Sequence, residues 1–64
     1  MEAGWIKISS SSDLIMLEMY RQRLEDAGIY SVLLNKKDSE LAIGYAELYV
    51  HESNEAAALG IIEK

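Results

Sequence analysis

Tyr45-Ala46-Glu47-Leu48-Tyr49-Val50 alternates without a break, with Ala46, Leu48 and Val50 on one side and Tyr45, Glu47 and Tyr49 on the other. A two-residue period marks a strand with one covered face, so the apolar triad points toward a core and the tyrosines point away. What surrounds this stretch sets the rest of the fold. Nearer the N-terminus, Trp5-Ile6-Lys7-Ile8-Ser9 shows the same period, with Ile6 and Ile8 on one face and Trp5, Lys7 and Ser9 on the other. Residues 14–27 carry apolar side chains at helical spacing, and residues 29–35 are rich in branched apolar side chains. Residues 29–35 are continuous enough for a strand covered on part of both faces, and periodicity does not assign their inward face. Residues after Ser53 form a second short helical run. Strand, helix, strand, strand, helix predicts an α+β chain. The expected fold is a ferredoxin-like βαββα sandwich lacking the fourth strand, with a three-stranded antiparallel sheet in order 1-3-2 and two helices on one face. The missing strand leaves the first strand, residues 5–9, as a bare edge, and a bare edge suggests a partner.

The joints of this fold carry their own signals. The serines at 9–12 offer N-caps for the first helix, Ser11 or Ser12 above all, with Asp13 at the positive end of the helix dipole. Leu17, Tyr20, Leu24 and Ala27 share the inward stripe, while Glu18, Gln22 and Asp26 lie opposite, together with Ile15 and Met19. Gly28 ends the helix cheaply in the left-handed region, which lets Ile29 touch Leu24 across the cap. Residues 36–44 exceed a tight hairpin turn, so they form either a functional loop or ragged extensions of the two strands. Ser53 caps the last helix, whose inward set is Ala58, Leu59, Ile61 and Ile62, with Gly60 allowing close approach to the sheet.

Composition narrows the function classes. The 64 residues make one domain, spanning 1–64, and a core of that size gives thin stability. With no cysteine and one histidine, disulfides and structural zinc are not expected, which leaves oligomerisation as the usual staple and a self-sufficient monomer as the alternative. Eleven acidic against six basic side chains give a net charge of −5, which opposes nucleic acid and anionic lipid. No apolar run is long enough to span a bilayer and no signal-peptide layout opens the chain, so a cytoplasmic location is the default expectation. No phosphate-binding glycine pattern and no metal-ligand spacing is present, and no cofactor is expected. His51 stands at a strand end without a sequence signal for a serine partner, and Glu25 with Asp26 reads as a solvated helix surface, so no catalytic residue and no enzyme is expected.

Two groups of residues remain as candidates. Trp5, Lys7, Tyr45, Glu47 and Tyr49 share the sheet face turned away from the helices, an interaction face. RNA-binding sheets stack bases on such aromatics, but the acidic chain and Glu47 between the tyrosines favour protein contact or self-association. Asn35, Lys36, Lys37, Asp38 and Ser39 form the one local basic cluster, and a connection over 35–44 that grips a small molecule or anion is the alternative reading. Because an outward lysine such as Lys7 is a device that blocks edge pairing, dimerisation through the open face is expected ahead of strand addition at 5–9.

Trp5, Leu24 with Ala27-Gly28-Ile29, Leu34-Asn35, Glu47-Leu48-Tyr49-Val50 and Ala58 together resemble a family of small bacterial domains, the putative prokaryotic signal-transducing proteins. The resemblance covers nearly the whole chain, and the order and spacing of its elements carry it. It implies a ferredoxin-like fold akin to the PII-like signalling proteins and a regulatory role of unassigned biochemistry. Val50-His51-Glu52 fits the family's V-x-E step, while Ser53-Asn54 stands where acidic residues are common. No residue-level ligand motif of the PII proteins is matched, and kinship of fold does not carry nucleotide binding across.

Overall fold

The structure is a computed structural model that describes residues 3–38 and 43–63. Strands β1 (Trp5–Ser11), β2 (Ser31–Asp38) and β3 (Ile43–His51) form one antiparallel sheet in the order β1-β3-β2, and helices α1 (Leu14–Asp26) and α2 (Glu55–Ile62) complete the α+β arrangement. The sandwich and strand order expected from the alternation are present, and the described residues form no fourth strand.

The core lies on one side of β3. Ala46, Leu48 and Val50 are fully buried against Leu17 and Leu24 of α1, Ile29, and Ala58 and Ile62 of α2. Leu59 and Ile61 pack at its border, which completes the inward set expected of α2. Gly60 is exposed with open space where a Cβ would stand, so it does not serve close approach to the sheet. In α1, Met16 and Tyr20 join the border of the core while Ala27 is exposed. Ala27 falls outside the stripe because the helix has already ended there: its last residue is Asp26.

The cap of α1 is a left-handed glycine closure. Gly28 has φ 80°, its N–H donates to Glu25 O at 2.9 Å, and the Ile29 N–H donates to Leu24 O at 2.8 Å. That pair of bonds satisfies the last carbonyls and carries Ile29 into the core beside Leu24, as the Gly28-Ile29 spacing predicts. The following strand starts at Ser31, two residues later than the apolar run, because Ile29 belongs to the cap and Tyr30 to the turn.

At the other end of α1 the cap is Asp13, which accepts from Met16 N–H at 3.0 Å, and neither Ser11 nor Ser12. Ser11 is still paired with Ala46 in the sheet and its hydroxyl accepts from Asp13 N–H at 2.9 Å. The reason is a register shift between Lys7 and Ser9, a bulge at Ile8 that lengthens β1 by using one more residue than β3 supplies. Past the bulge the faces exchange. Ser9 stands opposite buried Leu48, on the inward side and not beside Trp5 and Lys7, and Ile8 packs at the core border.

The connection at 36–44 resolves toward strand extension among the described residues. Lys36, Lys37 and Asp38 pair with Tyr45, Gly44 and Ile43. Before α2 a 3-10 turn, Glu52–Asn54, intervenes; Ser53 lies within it and Asn54 precedes the helix without a side-chain cap bond.

Candidate functional site

The site is built on the sheet face that the helices leave uncovered, and the pairing register states who stands there. On β3 the outward residues are Tyr45, Glu47, Tyr49 and His51, each alternate to a buried neighbour. Lys7 pairs with Tyr49 and Ser10 with Glu47 from β1, while Val32, Leu34 and Lys36 face Tyr49, Glu47 and Tyr45 from β2. Leu33, opposite buried Leu48, goes to the core, which assigns the inward face that periodicity leaves open in this strand.

Glu47 is the centre of the face and the one buried charged residue among those described, 7% exposed on the side away from the core. Lys7 and Lys36 approach it diagonally from the two flanking strands, Lys36 Nζ to Oε1 at 3.0 Å and Lys7 Nζ to Oε2 at 3.3 Å. The Tyr49 hydroxyl donates to Oε1 at 2.9 Å. Diagonal neighbours across antiparallel strands lie within reach of long side chains, so an acid on the central strand collects a lysine from each side. These donors, Lys36 first, then Tyr49, hold the Glu47 carboxyl well below the carboxylate range, at about 2, against the opposing effect of burial. In return the carboxylate pushes up both the Lys36 ammonium and the Tyr49 hydroxyl. The carboxylate is thus held in its charged form, with both oxygens engaged.

Aromatic side chains gather at one end. The Trp5 ring meets Tyr30 edge to face at 5.9 Å and 71° and meets His51 at 6.0 Å and 83°. Such T-shaped contacts are favourable beyond the area they bury. His51 stays exposed, as a strand-end residue should, yet it has a serine partner: Ser53 Oγ lies 2.8 Å from Nδ1, and the Ser53 N–H donates to the same nitrogen at 3.2 Å. Through this bond from the backbone amide the ring acts as the N-cap of the 3-10 turn. Gly4, at φ 95°, accepts from Glu52 N–H at 2.7 Å and lies so close that a Cβ there would sit 3.1 Å from His51 Nε2.

The structure brings Trp5, Lys7, Tyr45, Glu47 and Tyr49 onto one face. It divides the second candidate group. Asn35 stands opposite buried Ala46 and lines a depression at the outer side of β2, whereas Lys36 turns to the other face and binds Glu47. Lys37 and Asp38 lie in β2, and Ser39 lies outside the described residues. Val32, Leu34 and His51 also belong to the open face, and Tyr30 meets it through the Trp5 ring; only the register of β2 against β3 reveals Val32 and Leu34, through Leu33 opposite Leu48.

No helix among the described residues is long and apolar enough to cross a membrane. No curated protein and no solved structure matches the chain. The model of one family, described as putative prokaryotic signal transducing protein, matches residues 5–64, and the chain belongs to that family.

Proposed function

We propose that the chain is a non-catalytic, cytoplasmic regulatory module that works by binding another protein through its uncovered sheet face, without cofactor, nucleic acid or membrane. The observation that carries this reading is the composition of that face: apolar and aromatic side chains, Trp5, Val32, Leu34, Tyr45 and Tyr49, surround a Glu47 carboxylate whose oxygens are already satisfied. Covering a charge costs several kcal/mol when it must lose water, roughly, and less when its partners are in place beforehand. Aromatic residues are the ones that anchor protein interfaces, with paired polar groups setting register. Lys7 and Lys36 stay half-exposed beside the single Glu47 carboxylate, so this cluster carries one excess positive charge in a chain of net charge −5. That combination suits a partner with an apolar patch rimmed by carboxylates.

The test is affinity purification of the tagged full chain from its host, beside Trp5→Ala and Tyr45→Ala variants. One protein partner should be recovered with the parent chain and depleted about tenfold or more with both variants, since loss of an aromatic anchor costs on the order of 2 kcal/mol. Equal recovery with the variants overturns the reading. A small-molecule sensor remains the second reading, because Asn35 and Arg21 line the same depression; it requires a metabolite that raises the melting temperature of the folded chain.

A further inference from the structure

The sheet has two edges, and they are not alike. β1 is interrupted by the bulge at Ile8, which discourages pairing with another chain. β2 pairs with β3 over eight residues, Ser31–Asp38, with no register shift, and no described strand pairs with its other side. Alongside it, α1 and β2 enclose an open depression lined by Leu14, Glu18 and Arg21 from the helix and by Tyr30, Ser31, Val32, Leu33 and Asn35 from the strand side. A second depression continues over α1 through Leu14, Ile15, Glu18, Met19 and Gln22.

Exposed apolar surface concentrates here. Among the described residues five large apolar side chains are exposed, and four of them border these depressions: Leu14 at 40%, Ile15 at 77%, Met19 at 50% and Tyr30 at 72%. Ile15 and Met19 are the residues that break the polar outer face of α1 in the sequence. Such clustering differs from the scattered exposed leucine that needs no explanation.

We propose that a second copy of this chain docks at the α1–β2 flank, pairing β2 with β2 antiparallel about a two-fold axis to give one six-stranded sheet. This rests on the edge and its flank and not on the reading of the open face. Symmetry and side-chain parity restrict the register to one centred on a residue. Centred on Leu33, it sets Val32 opposite Leu34 of the partner subunit and Ser31 opposite Asn35 of the partner subunit. Apolar then meets apolar and polar meets polar.

Charge favours this occupant. The chain carries −5, which repels its own copies in general, but Glu18 and Arg21 neutralise each other on this flank at 2.6 Å. A two-fold presents both signs to both signs, whereas a flank of one sign would repel its copy. Scale fits as well. A standard interface asks about 800 Å² of each partner, roughly a fifth of the 4411 Å² surface, and a strand edge with an adjoining helix face can supply it. A domain this small without cysteine also has no disulfide to staple it.

Sedimentation equilibrium of the full chain over a wide concentration range tests the proposal, together with the exposed-site double variant Ile15→Lys/Met19→Lys. The parent should weigh twice its 7.2 kDa, and the double variant should dissociate to monomer with an unchanged far-UV circular dichroism spectrum. Amide exchange at residues 31–35 should slow at least tenfold as the parent passes from monomer to dimer, a readout that an unfolded variant cannot mimic. A parent chain that stays monomeric at millimolar concentration overturns the proposal. So does a dimer that survives the double variant and dissociates with Tyr45→Ala, and so does an open-ended series of larger species, which a closed two-fold forbids.

Discussion

Glu47 is the residue whose chemistry the sequence shows least, since there it is only the acid that stands between two tyrosines on the candidate interaction face. Its carboxyl is lowered from 4.5 to about 2, so the folded form holds its proton less tightly than the unfolded chain does. For a depressed acid the stabilisation is fully present above the unfolded value and is lost as pH falls through the folded one. Thermal melts should therefore show stability declining between pH 4.5 and about 2, with Glu47→Gln flattening the decline and lowering the melting temperature at neutral pH. Other carboxylates titrate in that range, so the difference between the two proteins is the measurement; parallel curves would remove the ion network from the account. The ranking of causes gives a second expectation. Lys36→Ala should raise the Glu47 titration midpoint, followed by NMR of its carboxyl carbon, by more than Lys7→Ala does, because the Lys36 bond is the leading cause and the Lys7 bond trails that of Tyr49. Equal shifts would mean that the two lysines are interchangeable, contrary to their 3.0 and 3.3 Å contacts.

At the scale of elements, the two ends of α1 decide where the helix sits over the sheet. Asp13→Ala removes the acceptor for Met16 N–H and should cost about 1 kcal/mol in urea melts, while Ser12→Ala should fall within about 0.5 kcal/mol of the parent. Gly28→Ala should cost roughly 1–2 kcal/mol, because φ 80° strains any residue with a Cβ even though nothing stands within 4 Å of it. A costly Ser12→Ala beside a silent Asp13→Ala would reverse the cap assignment. The Gly28 closure, the β3 alternation and the inward set of α2 were legible in the sequence because each depends on local spacing alone. The Asp13 cap was not, since serine and aspartate cap about equally well and the choice between them was made by the bulge at Ile8, which carries β1 through Ser11. For the same reason alternation alone sets Ser9 beside Trp5 and Lys7 while the fold turns it inward: a bulge shifts every later residue to the other side, and no residue type announces it. The open face was half legible. Trp5, Lys7, Tyr45, Glu47 and Tyr49 follow from alternation, whereas Val32 and Leu34 depend on how β2 registers against β3, and that is a long-range fact.

The whole molecule has little stability to spare, and its core shows why. Leu17, Leu24, Leu48 and Val50 are the large side chains fully withdrawn from water, and Leu48 stands at the middle of the central strand between Ser9 and Leu33. A domain below about 70–80 residues rarely gains more than ~3–5 kcal/mol from its single core. Truncating a buried leucine costs about 2–5 kcal/mol once the cavity is counted. Leu48→Ala should therefore bring the chain close to its unfolding midpoint without denaturant, while Ile15→Ala, at 77% exposure, should stay within about 0.5 kcal/mol of the parent in a monomeric sample. Urea melts at several protein concentrations separate this from association. If two copies share the β2 edge, the parent midpoint climbs with concentration by mass action, Ile15→Ala loses part of that climb, and Leu48→Ala is partly rescued at the highest concentrations. A Leu48→Ala chain as stable as the parent at every concentration would show that the sheet is held by something other than the core that β3 organises.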